Sequence, residues 1–387
     1  MYYFIVGAGI TGSVLARSIV DHLSDAKVVL IEKRRHIGGN MYDYIDKYGI
    51  MVHKYGPHTF HTNSKSIFEF INRFSDWMPY KSSCMAMIND KLTPCPFNYQ
   101  TIDDFYNMDN AKKIKNALIS EFKHRRKVSI VELINSKSML VKEFATFLFE
   151  NDYKLYTAKQ WDIDVNEIDV SILKRVPIRL SYNKYYFDDF YQVLPSSGYI
   201  SFFEKLLDHK NIKIVTNENA LDSFKIDFKT NKILFEGREF QHKLIYTGPL
   251  DELMNYQFGV LPYRSLRFKW YHEDIDLKQQ APIVVYPQVK DFTRVVEYKQ
   301  MPYQKCKGTT YSVEYPEAYV PNLNEAYYPI LTQSNMDIYY KYKKSVRKIH
   351  NLYILGRLAD YKYYNMDQAI KRALLFFHTN IFNLKKG

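Results

Sequence analysis

Three glycines near the start of the chain have the spacing of a nucleotide-binding turn. Gly7, Gly9 and Gly12 follow an apolar, strand-like run and open a segment with helical periodicity. In such a turn the first glycine permits a tight bend, the second lets a pyrophosphate approach the backbone, and the third lets helix and strand pack closely. The free N–H groups and the dipole at the start of the helix favour the negative charge of a pyrophosphate. The spacing therefore predicts a dinucleotide site.

Glu32 occupies the position at which an acidic residue completes such a site. It lies twenty residues after Gly12, at the end of a second apolar run. A carboxylate there accepts a hydrogen bond from a ribose 2′-hydroxyl and repels a 2′-phosphate. A second small-residue loop, at residues 38–40, would let a bare backbone pass close to a flavin, which favours FAD over NAD. The candidate cofactor contacts in this stretch are Lys33, Gly39 and Asn40.

Beyond this site, ordered blocks along most of the chain resemble the prokaryotic UDP-galactopyranose mutases. These blocks are residues 32–40, 53–62, 156–161, 174–179, 246–249, 293–297, 327–329 and 356–364. The resemblance implies an isomerase that contains FAD, is active with the flavin reduced, and interconverts UDP-galactopyranose and UDP-galactofuranose without net oxidation or reduction. It implies that N5 of the flavin attacks the anomeric carbon and expels UDP, giving a flavin–sugar adduct that opens and recloses as the smaller ring. It also implies a homodimer.

The resemblance assigns roles to individual side chains. Two arginines, Arg175 on a mobile loop and Arg294, would clamp the diphosphate, because guanidinium groups bind phosphate oxygens bidentately and keep their charge. Tyr156 and Trp161 would flank the uracil. The other expected contacts are Tyr186, Tyr328 and Tyr363 with the diphosphate or sugar, His58 and His61 in the flavin neighbourhood, and Arg357 with the FAD.

Asn365 is a departure from the family pattern. The family usually has an aspartate here, after two tyrosines, whereas this chain has an amide close to the expected substrate position. An amide donates where a carboxylate only accepts, so mutases for UDP-N-acetylgalactosamine or dTDP-fucose stay open as alternatives. Ser197 is a second departure, because it replaces a glycine that the family has near the flavin.

Two interpretations from other classes also stay open. A flavin oxidoreductase of the amine-oxidase type would account for residues 7–40 but not for the blocks around Arg175 and Arg294. A nucleotide-binding protein without catalysis would need a degenerate site, which the aligned aromatic residues and arginines argue against. No Ser-His-Asp arrangement, metal-ligand spacing or carboxylate pair is evident in the sequence, so hydrolytic and metal-assisted chemistry lack their groups.

Periodicity indicates which elements position these residues. The first 32 residues read as a β-α-β unit, Ser64 is a candidate helix cap, and helical periodicity dominates from about Thr101 to Asp152, with Leu140, Phe144, Phe147 and Leu148 on one stripe. A hairpin is expected around Thr230-Asn231. Strand-like runs follow at residues 265–270, 282–286, 293–298 and 310–315, and a strand at 352–355 precedes a final helix from about Met366.

These elements predict an α/β plus α+β protein, in which a Rossmann-type FAD-binding domain carries an inserted helical bundle and an antiparallel sheet domain. The FAD-binding domain would be discontinuous. Its expected parts are residues 1–82, 191–259 and 333–387; the helical bundle is expected at 99–162, and the sheet domain that binds substrate at 83–98, 163–190 and 260–332.

Composition narrows the partners and the compartment. The 387 residues suffice for two or three packed units, and no apolar run is long enough to span a bilayer. The formal net charge of +12 is compatible with nucleic acid, an anionic membrane or an anionic small molecule, and the spread of Lys and Arg along the chain argues against nucleic acid. Three widely spaced cysteines and an N-terminus without a signal-peptide pattern indicate a reducing, cytoplasmic location.

Overall fold

A five-stranded parallel sheet, the central sheet, supports the first half of the expected site. The computed structural model describes residues 1–161 and 176–383. The strands lie in the order Ile212–Thr216, Lys27–Glu32, Tyr2–Val6, Lys243–Tyr246 and Leu352–Ile354. The sheet thus takes its strands from distant parts of the chain, and the predicted return of the C-terminal strand is confirmed.

Helices cover one face of the central sheet because each buries an apolar stripe against it. The helix Ile10–His22 packs against the C-terminal helix Met366–Phe377 and the helix Gly198–Leu207. A small sheet and the helix Gln333–Val346 cover the other face. The small sheet contains Phe224–Asp227, Lys232–Phe235 and Arg238–Glu239, which confirms the predicted hairpin around Thr230-Asn231.

A seven-stranded sheet stands beside the central sheet and carries the substrate side of the site. Its order is Tyr328–Pro329, Tyr263–Glu273, Thr309–Ala318, Arg294–Glu297, Ile283–Val285, Cys84–Ile88 and Lys91–Pro94. Neighbouring strands are antiparallel except for Ile283–Val285 with Cys84–Ile88, which are parallel. The expected mostly antiparallel sheet is confirmed, and with it the predicted fold class.

A helical layer packs against the strands Cys84–Ile88 and Ile283–Val285 and closes the far side. It contains the helices Tyr99–Phe105, Met108–Phe122, Ile130–Ile134, Met139–Leu148 and Lys154–Trp161, with a π-helical turn at Phe149–Tyr153. On the helix Met139–Leu148 the fully buried positions are Val141, Phe144, Ala145 and Leu148. The predicted stripe packs into this core: Phe144 and Leu148 are fully buried in it, and Leu140 and Phe147 are partly buried against it.

Shorter elements connect these layers. They are the strands Asp43–Ile45, Met51–His53, Phe60–Thr62, Trp77–Pro79, Lys127–Val128, Ile178–Arg179 and Tyr191–Pro195, the helices Lys65–Asn72, Ala220–Ser223 and Leu250–Leu253, the 3-10 turn Gly39–Met41 and the π-helical turn His378–Phe382. Ser64 caps the helix Lys65–Asn72 as predicted, because its side chain accepts a hydrogen bond from the Ile67 N–H at 3.4 Å. Among the described helices, none is both long and apolar enough to cross a membrane.

Candidate active site

The carboxyl ends of the parallel strands open into a cavity, which we call the dinucleotide cavity. Open α/β sheets bind ligands at this edge, where the loops after the strands converge. Of the ten side chains or glycines predicted to contact the cofactor, nine line it: Gly7, Gly9, Gly12, Glu32, Lys33, Gly39, Asn40, His58 and Arg357. The exception is His61.

Two glycine contacts explain why the backbone of this cavity carries no side chains. A Cβ on Gly12 would lie 2.0 Å from the carbonyl oxygen of Gly7, so the helix Ile10–His22 reaches the strand only because the residue is glycine. A Cβ on Gly39 would lie 2.8 Å from the Cα of Gly9. The helix has no side-chain cap at Gly9, which leaves its first N–H groups available to an anion. This bare backbone at a helix N-terminus fits a pyrophosphate.

Glu32 holds the turn together as well as lining the cavity. Its carboxylate accepts hydrogen bonds from the backbone N–H of Ala8 at 2.8 Å and of Arg34 at 2.9 Å. The side chain is buried, and each carboxylate oxygen keeps further acceptor capacity. Glu32 is therefore placed to accept from a ribose hydroxyl while it fixes the loop.

Arg34 is a cavity residue to which the sequence assigned no role. Its guanidinium pairs with Glu325 at 2.6 Å, donates to the Oδ1 of Asn40 at 2.9 Å, and lies 4.3 Å from the ring centroid of Tyr55. Arg34 stands within the block at residues 32–40, and membership of that block was the one sequence feature that could have indicated a role at the cofactor site. Glu325 lies 291 residues away in the chain, and its sequence neighbourhood gave no indication of the pair.

A second cavity, the substrate cleft, meets the dinucleotide cavity between the two large sheets and the helical layer. His58, Arg357, Asn365 and Met366 line both spaces, so they mark the junction. The predicted substrate residues that line the cleft are Tyr156, Tyr186, Arg294, Tyr328, Tyr363 and Asn365. Arg175 lies outside the described residues, as does the side chain of Trp161, which ends the helix Lys154–Trp161.

Arg294 presents a fixed positive charge to the substrate cleft. Its Nε donates to the Oε2 of Glu314 at 2.6 Å, and Glu314 is fully buried. Burial opposes the charge of Arg294, but Glu314 more than offsets this and holds the pKa of the guanidinium above its ordinary value. The other guanidinium N–H groups have no hydrogen-bond partner among the described residues, so they are available to an anion in the cleft.

Aromatic rings surround the junction of the two cavities. The rings of Tyr328 and Tyr363 stack with centroids 5.7 Å apart, and the Arg357 guanidinium lies 5.4 and 5.2 Å from the two centroids. Burial raises the pKa of Tyr156 and of Tyr186, so both phenols stay protonated and can donate hydrogen bonds. The cleft thus offers neutral phenol donors in addition to the charged guanidinium of Arg294.

The two histidines lie in different surroundings. Burial, with added repulsion from Arg357 and Arg294, lowers the pKa of His58 to about 4. Its Nδ1 lies 2.8 Å from the carbonyl oxygen of Gly56, so the neutral ring donates from Nδ1. A neutral His58 at the junction is suited to contact a bound ligand, and we assign it no part in proton transfer.

His61 lines the substrate cleft and not the dinucleotide cavity, which differs from its expected place in the flavin neighbourhood. Its Nδ1 lies 2.9 Å from the Oδ2 of Asp189, and its ring stacks on Phe187 with centroids 3.7 Å apart. The alternating strand Phe60–Thr62 accounts for this placement, because the side chain of His61 points away from the buried Phe60 and Thr62.

Asn365 stands at the junction and begins the helix Met366–Phe377. Its backbone N–H donates to the side-chain Oε1 of Gln368 at 3.1 Å. The residue lines both cavities, so its amide lies where a sugar would meet a cofactor. Ser197, the other departure from the family pattern, lines neither cavity; it precedes the helix Gly198–Leu207 and its side chain makes no capping hydrogen bond.

The described residues contain no group of three or more His, Cys, Asp or Glu side chains arranged to hold a metal ion. What the arrangement can do chemically is bind a dinucleotide, hold an anionic ligand against Arg294, and bring one end of that ligand to the junction.

Comparisons with known proteins agree with this geometry. A family model described as UDP-galactopyranose mutase matches residues 151–363, and one described as an NAD(P)-binding Rossmann-like domain matches residues 5–74. A UDP-galactopyranose mutase of Mycoplasma genitalium is 37% identical over 374 residues, which is 95% of this chain and 91% of that protein. A probable UDP-galactopyranose mutase of Klebsiella pneumoniae is 34% identical, over 96% of this chain and 92% of that one.

A relative named for a different substrate matches to a similar extent. A dTDP-fucopyranose mutase of Escherichia coli is 32% identical, over 96% of both chains. Among solved structures, a reduced UDP-galactopyranose mutase superposes with a TM-score of 0.71, at 14% identity, covering 100% of this chain and 94% of that one. At that identity the structural match bears on the fold alone.

Proposed function

The chain belongs to the UDP-galactopyranose mutase family, and from that premise we propose that it interconverts UDP-galactopyranose and UDP-galactofuranose. Its relatives place it among the isomerases. The observation that carries the proposal is the position of Arg294. Its terminal N–H groups have no partner in the described part of the chain, and they share the cleft with the junction residues Arg357 and Asn365. A diphosphate held at Arg294 brings the attached sugar toward the dinucleotide cavity.

FAD is the dinucleotide that we propose for the first cavity. The close backbone contact of Gly9 and Gly39, the open helix N-terminus and the carboxylate of Glu32 fit the pyrophosphate and ribose of that group. When bound and reduced, the flavin supplies a nucleophilic ring nitrogen, N5, that holds the sugar while UDP is detached. The protein's task is then to bind both ligands in register.

The residues of the cleft suit a reaction in which the bond between the anomeric carbon and UDP breaks and re-forms. Arg294 stabilises the negative charge that develops on the departing diphosphate, because its charge is fixed in place before the reaction by Glu314. It also retains UDP for the return step. Arg175, outside the described residues, is proposed as the second clamp. No acid or base is required of His58, which stays neutral.

Tyrosines orient the rest of the substrate. We assign Tyr156, with Trp161, to the base, since a flat ring stacks on a pyrimidine. Tyr186, Tyr328 and Tyr363 are assigned to the diphosphate and sugar, to which phenol hydroxyls can donate. The placement of rings on several sides of the cleft also limits the water that reaches the sugar while its bond to UDP is broken.

A second candidate substrate is dTDP-fucopyranose. Asn365 lies at the junction where the sugar is expected, and one relative is named for that activity. An amide at this place can donate to a sugar hydroxyl, which a carboxylate cannot do. The uridine and thymidine nucleotides share the same diphosphate, so Arg294 does not distinguish them.

The test is to incubate purified flavin-containing protein with UDP-galactopyranose or dTDP-fucopyranose, with and without dithionite, and to separate pyranose from furanose by chromatography. Furanose from UDP-galactopyranose only under reduction supports the proposal. Product from dTDP-fucopyranose alone moves the assignment to the second candidate. No furanose from either sugar refutes the proposed reaction. The homodimer and the cytoplasmic location stay predictions of the sequence.

A further inference from the structure

A buried carboxyl group, Asp152, lines the substrate cleft at the end away from the dinucleotide cavity. Its neighbours in the lining are apolar or weakly polar: Cys84, Cys95, Phe97, Ile283 and Val285. None of these residues lines the dinucleotide cavity. The exposed fraction of Asp152 is 9%, and the residue lines the cleft. The carboxyl group thus lines a part of the cleft that the dinucleotide cavity does not share.

Asp152 has no hydrogen-bond partner within residues 1–161 and 176–383 for its carboxyl group. Among the described residues, no backbone or side-chain group forms a hydrogen bond with its carboxyl oxygens. Buried polar groups are nearly always satisfied, and leaving one unpaired costs about 1–3 kcal/mol. A carboxyl group that faces a cleft and lacks a protein partner is therefore placed to bind the ligand of that cleft.

The helix geometry puts Asp152 beside the proposed base-stacking residue. Asp152 lies in the π-helical turn Phe149–Tyr153 and Tyr156 follows in the helix Lys154–Trp161. Residues four positions apart lie on the same face of a helix, one turn from each other, and both of these line the cleft. A base stacked on Tyr156 would present its edge to the carboxyl group.

We propose that Asp152 recognises the pyrimidine base of the nucleotide sugar, through paired hydrogen bonds to the N3–H and an adjacent carbonyl oxygen. This inference rests on the proposed function, since it requires a uracil or thymine nucleotide in the cleft. A neutral carboxyl group has an acceptor oxygen beside a donor hydroxyl, which matches the N–H beside C=O of those bases. Asp152 then determines specificity for the base and takes no part in the bond changes at the sugar.

The protonation of Asp152 follows from its surroundings. Burial raises the pKa of its carboxyl group to about 7, although Lys159 opposes the shift. Burial lowers the pKa of Lys159 to about 8, and its ammonium group donates to four backbone carbonyl oxygens at 2.5 to 3.3 Å. Lys159 is present in wild type and in Asp152→Asn alike, so the difference between these two proteins isolates the titration of Asp152. The other titratable neighbours stay neutral, because a hydrogen bond with Cys84 together with burial raises the pKa of Cys95, and burial raises that of Tyr153.

The paired hydrogen bonds between Asp152 and the base determine how the affinity for the nucleotide sugar changes with pH. The neutral acid offers both hydrogen bonds, whereas the carboxylate loses its donor and faces a carbonyl oxygen of the base. Binding is therefore strongest below the pKa of about 7 and weakens as pH rises through it. If only the neutral form binds, affinity falls about tenfold between pH 6 and pH 8.

The test measures binding of UDP-galactopyranose and of its N3-methyl analogue to the oxidised holoenzyme by calorimetry, at pH 6 and pH 8. The diphosphate diester does not titrate in that range. Wild type is compared with Asp152→Asn, a matched control that keeps a donor and an acceptor but cannot ionise, and with Asp152→Leu. We expect the pH effect in wild type only. The N3-methyl group should cost wild type and Asp152→Asn at least tenfold, and Asp152→Leu much less.

The outcomes separate this inference from the proposed function. Wild-type affinity that is independent of pH, or an N3-methyl effect that is equal in wild type and Asp152→Leu, overturns the role of Asp152 while turnover of the nucleotide sugar still stands. If Asp152→Leu fails to fold, the comparison of wild type with Asp152→Asn across pH decides. Failure of wild type to bind either UDP-galactopyranose or dTDP-fucopyranose refutes the proposed function, and this inference with it.

Discussion

Replacing Arg294 by alanine should lower stability as well as activity, because the substitution leaves Glu314 buried without its partner. Glu314 is fully buried, its Oε2 accepts from Arg294 at 2.6 Å, and its Oε1 has no hydrogen-bond partner among the residues that the structure describes. Removing one member of a buried ion pair typically costs about 3–5 kcal/mol. The side chain of Arg294 keeps 25% exposure toward the cleft, so we expect a loss near the lower end, about 3 kcal/mol.

A second substitution should separate stability from function. In Arg294→Ala/Glu314→Gln the buried group is neutral, and most of the lost free energy of unfolding should return. Turnover should stay depressed on the order of a hundredfold or more, because the charge that stabilises the departing diphosphate is still missing. The difference between the two variants then measures the cost of the unpaired carboxylate.

The pH dependence of the single variant has a definite sign. Burial raises the pKa of Glu314, and Arg294 counteracts part of that effect in the wild type. Without Arg294 the folded-state pKa rises further above its unfolded value. Stability of Arg294→Ala is therefore closest to wild type below the ordinary carboxyl pKa, and it falls as pH rises toward the folded-state pKa of Glu314.

The assay is urea unfolding of the holoenzyme at several pH values, followed by circular dichroism, with furanose formation measured on the same preparations. Arg267→Ala is a matched control, because Arg267 is half exposed on the same sheet and pairs with Glu317 at 3.6 Å. It should change stability by less than about 1 kcal/mol. The reasoning is refuted if Arg294→Ala unfolds like wild type or if the double variant is no more stable. Turnover near wild type in either variant would refute the diphosphate assignment.

Three further substitutions test separate parts of the site. Glu32→Ala should release flavin, because it removes the acceptor that holds the turn; a full flavin-to-protein absorbance ratio after gel filtration would contradict this. Lys159→Met leaves four backbone carbonyl oxygens in the segment 286–292 without their donor. Because this segment leads to Arg294, the affinity for the nucleotide sugar, measured by calorimetry, should fall several-fold. An affinity equal to that of wild type would argue against a role of Lys159 in holding the segment. Asn365→Asp should shift the ratio of kcat/KM between UDP-galactopyranose and dTDP-fucopyranose, and an unchanged ratio would show that the amide does not select the sugar.

The parts of the fold that the sequence predicted depend on local patterns. The glycine turn, the cap at Ser64, the hairpin around Thr230-Asn231 and the final strand and helix are each specified within a few residues. The strand-like runs of the seven-stranded sheet were also visible, since alternation of apolar residues is a short-range signal. The glycine turn and the final strand and helix position the cofactor side of the site, and the seven-stranded sheet carries the substrate side.

Features made by distant segments escaped prediction. The Arg34–Glu325 pair joins residues 291 apart, and no local pattern marks Glu325. His61 was expected near the flavin, but its strand turns the ring toward Phe187 and Asp189 in the substrate cleft. Asp152 received no role, because its exposure to the cleft depends on strands that come from other parts of the chain.

The central claim is that a reduced flavin serves the isomerisation without being consumed. The direct measurement is anaerobic: protein reduced with one equivalent of dithionite receives a large excess of UDP-galactopyranose, while visible flavin absorbance and furanose are followed together. We predict many equivalents of furanose per flavin, with the flavin reduced at the end as at the start. Oxidation of the flavin in step with one equivalent of a reduced sugar nucleotide, with no furanose beyond it, would contradict the account and support an oxidoreductase.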